Sequence, residues 1–169
     1  WEDLARSAGI PLVIDSAAGF GSTYQNGEVL GARGDCEVFS FHATKPFAIG
    51  EGGALATRSS DLAESIRQFT NFGFGSSQGA IGAGLNGKLQ EINAAIGLHQ
   101  LQEFENNRAR RRQVLGAYEE SFATMPIRLP FGIERSSLCF ATIILEQENE
   151  AKAILAHLNG SSIEARSYY

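Results

Sequence analysis

Two short apolar runs limit what this chain can fold into. Ile10-Pro-Leu-Val-Ile-Asp15 is continuously apolar and ends in a carboxylate, and Cys36-Glu-Val-Phe-Ser-Phe41 follows after a loop with glycines at 19, 21, 27, 31 and 34. A continuous run of this kind suits a strand of a parallel sheet covered on both faces, whereas a strand with one wet face alternates. The carboxyl ends of such strands are where open α/β sheets bind ligands. Asp15 therefore stands at a position where chemistry is placed, although a carboxylate there can also simply cap the turn that follows.

Around these runs the pattern is that of an α/β protein. Residues 1–8 read as the end of an amphipathic helix, with Trp1, Leu4, Ala5 and Ala8 on one face and Gly9 as its cap. Gly53 to Arg58 reads as a third strand. Ser59, Ser60 and Asp61 can cap a helix to about Asn71, with Leu62, Ile66 and Phe69 on one face. A second glycine-rich loop occupies 72–87. A long helical region spans 89–124, with a polar break expected at Glu105 to Asn107 and an apolar stripe that belongs in a core. After Pro126 and Pro130 a strand (Leu138 to Leu145), a short helix and a strand ending at Tyr169 are expected. This change of style puts a domain boundary near residue 126, giving units 1–125 and 126–169. The chain opens within a helix, without an initiator methionine, and stops just after a strand, so it reads as a segment of a longer protein.

Composition narrows the function. With 43% apolar and 20% charged residues the chain is globular, and a net charge of −5 argues against nucleic acid as a partner. The one basic cluster, Arg108 with Arg110, Arg111 and Arg112, reads as a solvated helix face or an inter-subunit ion-pair site. Cys36 and Cys139 form neither a disulfide framework nor a metal motif, which points to a reducing compartment, the cytoplasm. No apolar stretch approaches the roughly 18 residues of a membrane-spanning helix. No metal site is expected.

The chemistry concentrates in Val38-Phe-Ser-Phe-His-Ala-Thr-Lys-Pro-Phe-Ala-Ile-Gly-Glu-Gly-Gly53. Lys45 lies among Phe39, Phe41, Pro46, Phe47 and Ile49. A desolvated ammonium shifts towards the amine, and an amine can form a Schiff base with a carbonyl; an ordinary structural lysine is the other reading. Asp15 could face a cationic ring nitrogen, the pair that pyridoxal phosphate (PLP) chemistry needs. Ser40 and the glycine turn offer a hydroxyl and close backbone approach to a phosphate, although tight strand-entry turns use the same glycines. The loop before Asp35 matches neither P-loop nor Rossmann spacing.

Ser-Phe-His-Ala-Thr-Lys45 followed by Gly-Glu-Gly-Gly53, with Ile10–Ser22 upstream and Gly84–Gln102 downstream, closely resembles the DegT/StrS-type nucleotide-sugar aminotransferases, in order and spacing, over nearly the whole chain. The resemblance implies a partial PLP-transferase fold of the aspartate aminotransferase type, with the large domain's mainly parallel sheet and the start of a small α+β domain. It implies that Lys45 forms the internal aldimine with PLP, Asp15 pairs with the pyridine nitrogen, Ser40 binds the phosphate, and Asn86 reaches across a homodimer to the partner's phosphate. His42 supports the lysine loop or touches substrate, and Arg166 and Tyr168 resemble a segment near the substrate. The implied reaction is transamination of a nucleotide-linked keto-sugar, with glutamate as donor, in polysaccharide or antibiotic sugar biosynthesis. The chain departs from the family at Ala18, where a glutamine or histidine is usual near the cofactor's phenolic oxygen, and at Lys88, where an arginine is usual. The rest of the phosphate cup, the ring-stacking aromatic and most of the small domain lie outside the chain. A PLP-binding homologue of reduced activity, or a non-enzymatic fragment that only folds or dimerises, are the alternative readings.

Overall fold

A computed structural model of the chain describes residues 1–76 and 79–167. The elements in order are α1 (Glu2–Ala8), β1 (Val13–Asp15), β2 (Cys36–Ser40), β3 (Gly53–Ala56), α2 (Ser60–Thr70), α3 (Glu91–Phe122), a 3-10 turn (Ile133–Arg135) and α4 (Glu148–Gly160). Three strands make a mixed sheet in the order β1-β2-β3. β1 runs parallel to β2, with Val13 opposite Cys36 and Asp15 opposite Val38. β2 and β3 are antiparallel, with Ser40 opposite Gly53. The architecture is α/β, as the sequence predicts.

Local chemistry explains the helix ends. Gly9 caps α1 in the left-handed conformation (φ 64°), which a side chain would disfavour. Ser59 stands outside α2 in an extended conformation, and its hydroxyl accepts the Leu62 N–H. The core lies on the sheet's β2 side, where Phe39, Phe41, Phe47, Ile49 and Phe104 are buried together with Phe20, Leu30 and Ala56 against them. The ring centroids of Phe41 and Phe47 are 4.8 Å apart at 82°, an edge-to-face contact, and Phe20 stands 4.9 Å from Phe47. A smaller cluster of Leu115, Ile133 and Leu138 joins α3 to the segment after it.

Four expectations need correction. β1 starts at Val13 and is not covered on both faces: Val13 is 62% exposed, because β1 is an edge of the sheet within the described residues. The polar stretch Glu105–Asn107 does not interrupt α3. It contains neither Pro nor Gly, and its side chains bond along the helix surface, Arg108 to Glu105 and Asn106 to Glu103. The apolar stripe of the same helix is largely uncovered, with Ile92 68% and Leu98 69% exposed, and only Gly97, Phe104 and Leu115 are buried. The strands expected at 138–145 and after 161 do not form among the described residues. Arg128 and Ile144 make one isolated antiparallel bridge, and no ladder partner extends it. The intervening helix, α4, is present.

Candidate active site

Parallel pairing of β1 with β2 carries the ends of both strands to one edge of the sheet. The ladder continues one residue past β1, where the Ser16 N–H donates to Val38 O at 3.0 Å, and the Ser40 N–H returns to Ala17 O at 3.3 Å. The turn 15–18 is thereby tied to the end of β2. Asp15 is exposed there, and its Oδ1 accepts the Ala17 N–H at 3.0 Å, the turn-capping bond open to any aspartate at a strand end. Its other oxygen makes no hydrogen bond among the described residues. Ala18 is exposed in the same turn and brings no polar atom.

From Ser40 the chain enters the lysine loop, which is fastened from within. The Phe41 N–H bonds Gly52 O (2.8 Å), the Ile49 N–H bonds Phe41 O (2.9 Å), the Ala43 N–H bonds Gly50 O (2.8 Å) and the Lys45 N–H bonds His42 O (2.9 Å). Phe41, Phe47 and Ile49 are the buried floor of the loop, while Lys45 itself is half-buried. The aromatic neighbours of Lys45 in sequence are thus mainly core residues. His42 Nδ1 accepts the Thr44 N–H (3.2 Å) and lies 2.9 Å from Thr44 Oγ1, so the ring proton belongs on Nε2, which faces Glu51 at 3.6 Å. Asn93 on α3 donates to Glu51 O at 2.7 Å and pins the loop's far side. Ser40 Oγ accepts the His42 N–H (3.3 Å) and keeps its own proton to donate. Burial raises the Cys139 thiol above its ordinary value, outweighing the opposing pull of the Lys45 and Arg111 cations.

The glycine turn serves the backbone first. Gly50 has φ 90°, where L side chains are strained, and a Cβ on Gly53 would stand 2.6 Å from the Phe39 carbonyl oxygen across the β2/β3 pair.

The ends of β1 and β2 thus set Asp15 and Ser40 on neighbouring strand ends, and His42 and Lys45 follow in the loop that leaves Ser40. Asn86 does not join them within the chain. It pairs with Asn71 in an isolated backbone bridge, is exposed, and its side chain makes no hydrogen bond among the described residues. Lys88 beside it lies 4.7 Å from the centroid of Phe72. Arg166 is exposed and forks onto Glu164 Oε1 at 3.0 and 2.6 Å. Tyr168 lies outside the described residues. No cluster of His, Cys, Asp and Glu that could hold a metal ion occurs among the described residues.

Sequence reasoning passed over Glu37, which is fully buried next to the site. Its carboxylate accepts from Ser16 Oγ (2.9 Å), Tyr24 OH (2.7 Å) and the Arg33 N–H (2.9 Å). Burial pushes the Glu37 carboxyl up, but these hydrogen bonds, with a backbone one from Gly31, outweigh it and leave it below its ordinary value. Burial and the Glu37 carboxylate together push the Tyr24 phenol well up. A glutamate inside an otherwise apolar strand was the available signal. The arginine cluster also has a use the sequence did not disclose. Arg108 donates to Gly21 O (2.6 Å), Arg111 to Leu138 O (2.8 Å), and Arg112 to Ile133 O (3.2 Å), Glu134 O and Ser136 O (3.1 Å). These guanidiniums fasten residues 133–139 and the loop at Gly21 onto α3; Arg110, exposed like Arg111, makes no such bond among the described residues.

Known proteins resemble this chain in sequence and in fold. The chain is 50% identical over all 169 residues to Protein Rv3402c of Mycobacterium tuberculosis, of which it covers 41%. It is 31% identical to the dTDP-4-amino-4,6-dideoxy-D-glucose transaminase of Shigella dysenteriae, with 99% of this chain and 47% of that protein aligned. Helicobacter pylori PseC, an aminotransferase involved in the biosynthesis of pseudoaminic acid, superposes with a TM-score of 0.89 at 30% identity, over 99% of this chain and 47% of that one. The chain thus spans less than half the length of these relatives. No helix among the described residues is long and apolar enough to cross a membrane. The profile of the DegT/DnrJ/EryC1/StrS aminotransferase family matches residues 1–169, the whole of the chain, and the chain belongs to that family.

Proposed function

We propose that the chain carries the lysine half of a PLP-dependent transamination site that acts on a nucleotide-linked keto-sugar with glutamate as amino donor. The observation that carries this reading is the common edge of β1 and β2, which holds Asp15 and Ser40 together and starts the Lys45 loop from the same point. The donor set fits the cofactor: a hydroxyl with a free proton for a phosphate, a carboxylate with one oxygen free for a cationic ring, and an amine on a loop fixed by four backbone bonds.

When bound, PLP supplies an aldehyde for the lysine and an electron-withdrawing ring. Lys45 Nζ would hold the cofactor, and its amine would take and return the proton at the substrate's α-carbon. Asp15, its carboxylate fixed by the Ala17 N–H, would pair with the ring nitrogen and favour its protonated form. Ser40 Oγ donates to the phosphate. His42 orients the loop through Thr44 and Glu51. Asn86, exposed and unengaged through its side chain, serves the phosphate of a second copy in a homodimer. Arg166 and Tyr168, the latter outside the described residues, are assigned to the substrate side, residues 126–169 to the start of a second domain, and the protein to the cytoplasm, in keeping with the free thiols of Cys36 and Cys139.

The test is spectroscopic. The full-length protein mixed with PLP develops a visible band that Lys45→Ala abolishes, and glutamate bleaches it. A band absent from the wild type, or retained by Lys45→Ala, overturns the reading. One feature favours a second reading, a PLP-binding homologue of reduced activity: Ala18 offers no polar atom where the family usually has one. A band that glutamate leaves unchanged decides for that second reading.

A further inference from the structure

Glu37 has no part in the chemistry above, yet it is buried and joined to the turn that presents Asp15. Within the turn 15–18 the side chains make two hydrogen bonds among the described residues. One is internal, from the Ala17 N–H to Asp15 Oδ1. The other runs from Ser16 Oγ into the sheet interior and ends on Glu37 Oε2 at 2.9 Å. We infer that Glu37 is a positioning residue, which through Ser16 fixes the turn from which Asp15 meets the ring of the bound cofactor. The inference rests on the PLP reading given above.

Three observations support it. Glu37 lies on β2 opposite Ile14 of β1 and three residues before Ser40, so one strand carries both the brace for the Asp15 turn and the phosphate hydroxyl. Its two oxygens divide the work. Oε2 takes the Ser16 hydroxyl, and Oε1 takes Tyr24 OH and the Arg33 N–H from the glycine-rich loop behind. The charges around it are fixed as well: the Arg33 guanidinium lies 4.4 Å from the Tyr24 ring centroid and pairs with Glu28 at 3.1 Å and Glu2 at 3.6 Å, leaving Glu37 to the neutral donors. All its bonds are acceptors for O–H and N–H groups, a role a glutamine fills with one atom only.

The arms of the network can be cut separately in the full-length protein reconstituted with PLP. The readout is the pH midpoint at which the Lys45-dependent visible band converts. A displaced carboxylate holds the ring nitrogen's proton less firmly, so Ser16→Ala and Glu37→Gln should move that midpoint by about half a unit or more. Tyr24→Phe removes the other arm, and should lower Tm while leaving the midpoint in place. A midpoint unmoved by Ser16→Ala overturns the inference. A shift with Tyr24→Phe as large as with Ser16→Ala also overturns it, since the effect would then follow the rigidity of the network as a whole. A wild type with no band that Lys45→Ala removes overturns the PLP reading and this inference with it.

Discussion

Arg112 offers a sharp test of how the segment after α3 is held. Its guanidinium donates to three carbonyl oxygens, those of Ile133, Glu134 and Ser136, and the side chain is half-buried. Replacing it by methionine keeps most of the apolar stem and removes all three donors. A hydrogen bond from a charged donor contributes about 1.5–3 kcal/mol, with the low end fitting partly exposed pairs. Only the carbonyl of buried Ile133 would stay out of water, so it accounts for about 1.5–2 kcal/mol and the other two for about 0.5 kcal/mol each. The sum, about 2.5–3 kcal/mol, corresponds to a fall in Tm of roughly 5–10 °C for a chain of this size. Arg110 lies two residues away, exposed and without an ion pair or hydrogen bond among the described residues, so Arg110→Met should cost under about 0.5 kcal/mol and leave Tm nearly unchanged. Thermal unfolding of both variants by circular dichroism decides the matter. Equal shifts, or an Arg112→Met shift below about 2 °C, would refute the reasoning and return the cluster to a solvated face.

Glu37 makes stability depend on pH. Its folded carboxyl lies below its ordinary value of 4.5, so its contribution is complete above that pH and is lost as pH falls through the folded value. The gap in Tm between wild type and Glu37→Gln should therefore be widest near neutrality and close on acidification; a gap that widens in acid contradicts the assignment. Ser59→Ala removes the N-cap bond to Leu62 and should destabilise by about 1 kcal/mol, read in urea titration, with Ser59→Asp retaining most of it. Gly53→Ala places a Cβ 2.6 Å from the Phe39 carbonyl oxygen, so the β2/β3 pair must shift, and a loss of about 2 kcal/mol or more is expected in the same titration; a neutral effect would mean the strands can part there freely.

The elements legible in the sequence are those specified by neighbours along the chain. Gly9 and Ser59 announce the ends of α1 and α2 because a positive φ and a hydroxyl acceptor are local requirements. β2 and the lysine loop could be placed because an apolar run, a conformationally demanding glycine turn and a reactive side chain coincide within sixteen residues. What stayed hidden depends on partners distant in sequence. The exposure of Val13 and of the stripe on α3 reflects what packs against them, which an apolar pattern does not disclose. The strand expected near 138–145 lacks a ladder beyond the Arg128–Ile144 bridge, and strand propensity cannot supply a partner. The fastening role of Arg108, Arg111 and Arg112 stayed hidden because the acceptors they reach across the fold are backbone carbonyls, which no complementary residue in the sequence marks. Of the candidate site, Asp15, Ser40, His42 and Lys45 can be proposed from the sequence, while the brace formed by Glu37, Ser16 and Tyr24 cannot, since its members lie 8 and 13 residues apart with no shared motif.

The central claim, that Lys45 is the amine that holds PLP, can be tested by trapping. Borohydride reduction of the full-length protein after incubation with PLP converts a lysine-bound pyridoxal to a stable secondary amine, and peptide mass spectrometry locates it. The account predicts the pyridoxyl group on the peptide containing Lys45, at near one equivalent per chain. Labelling at another lysine, or none at Lys45, would contradict it.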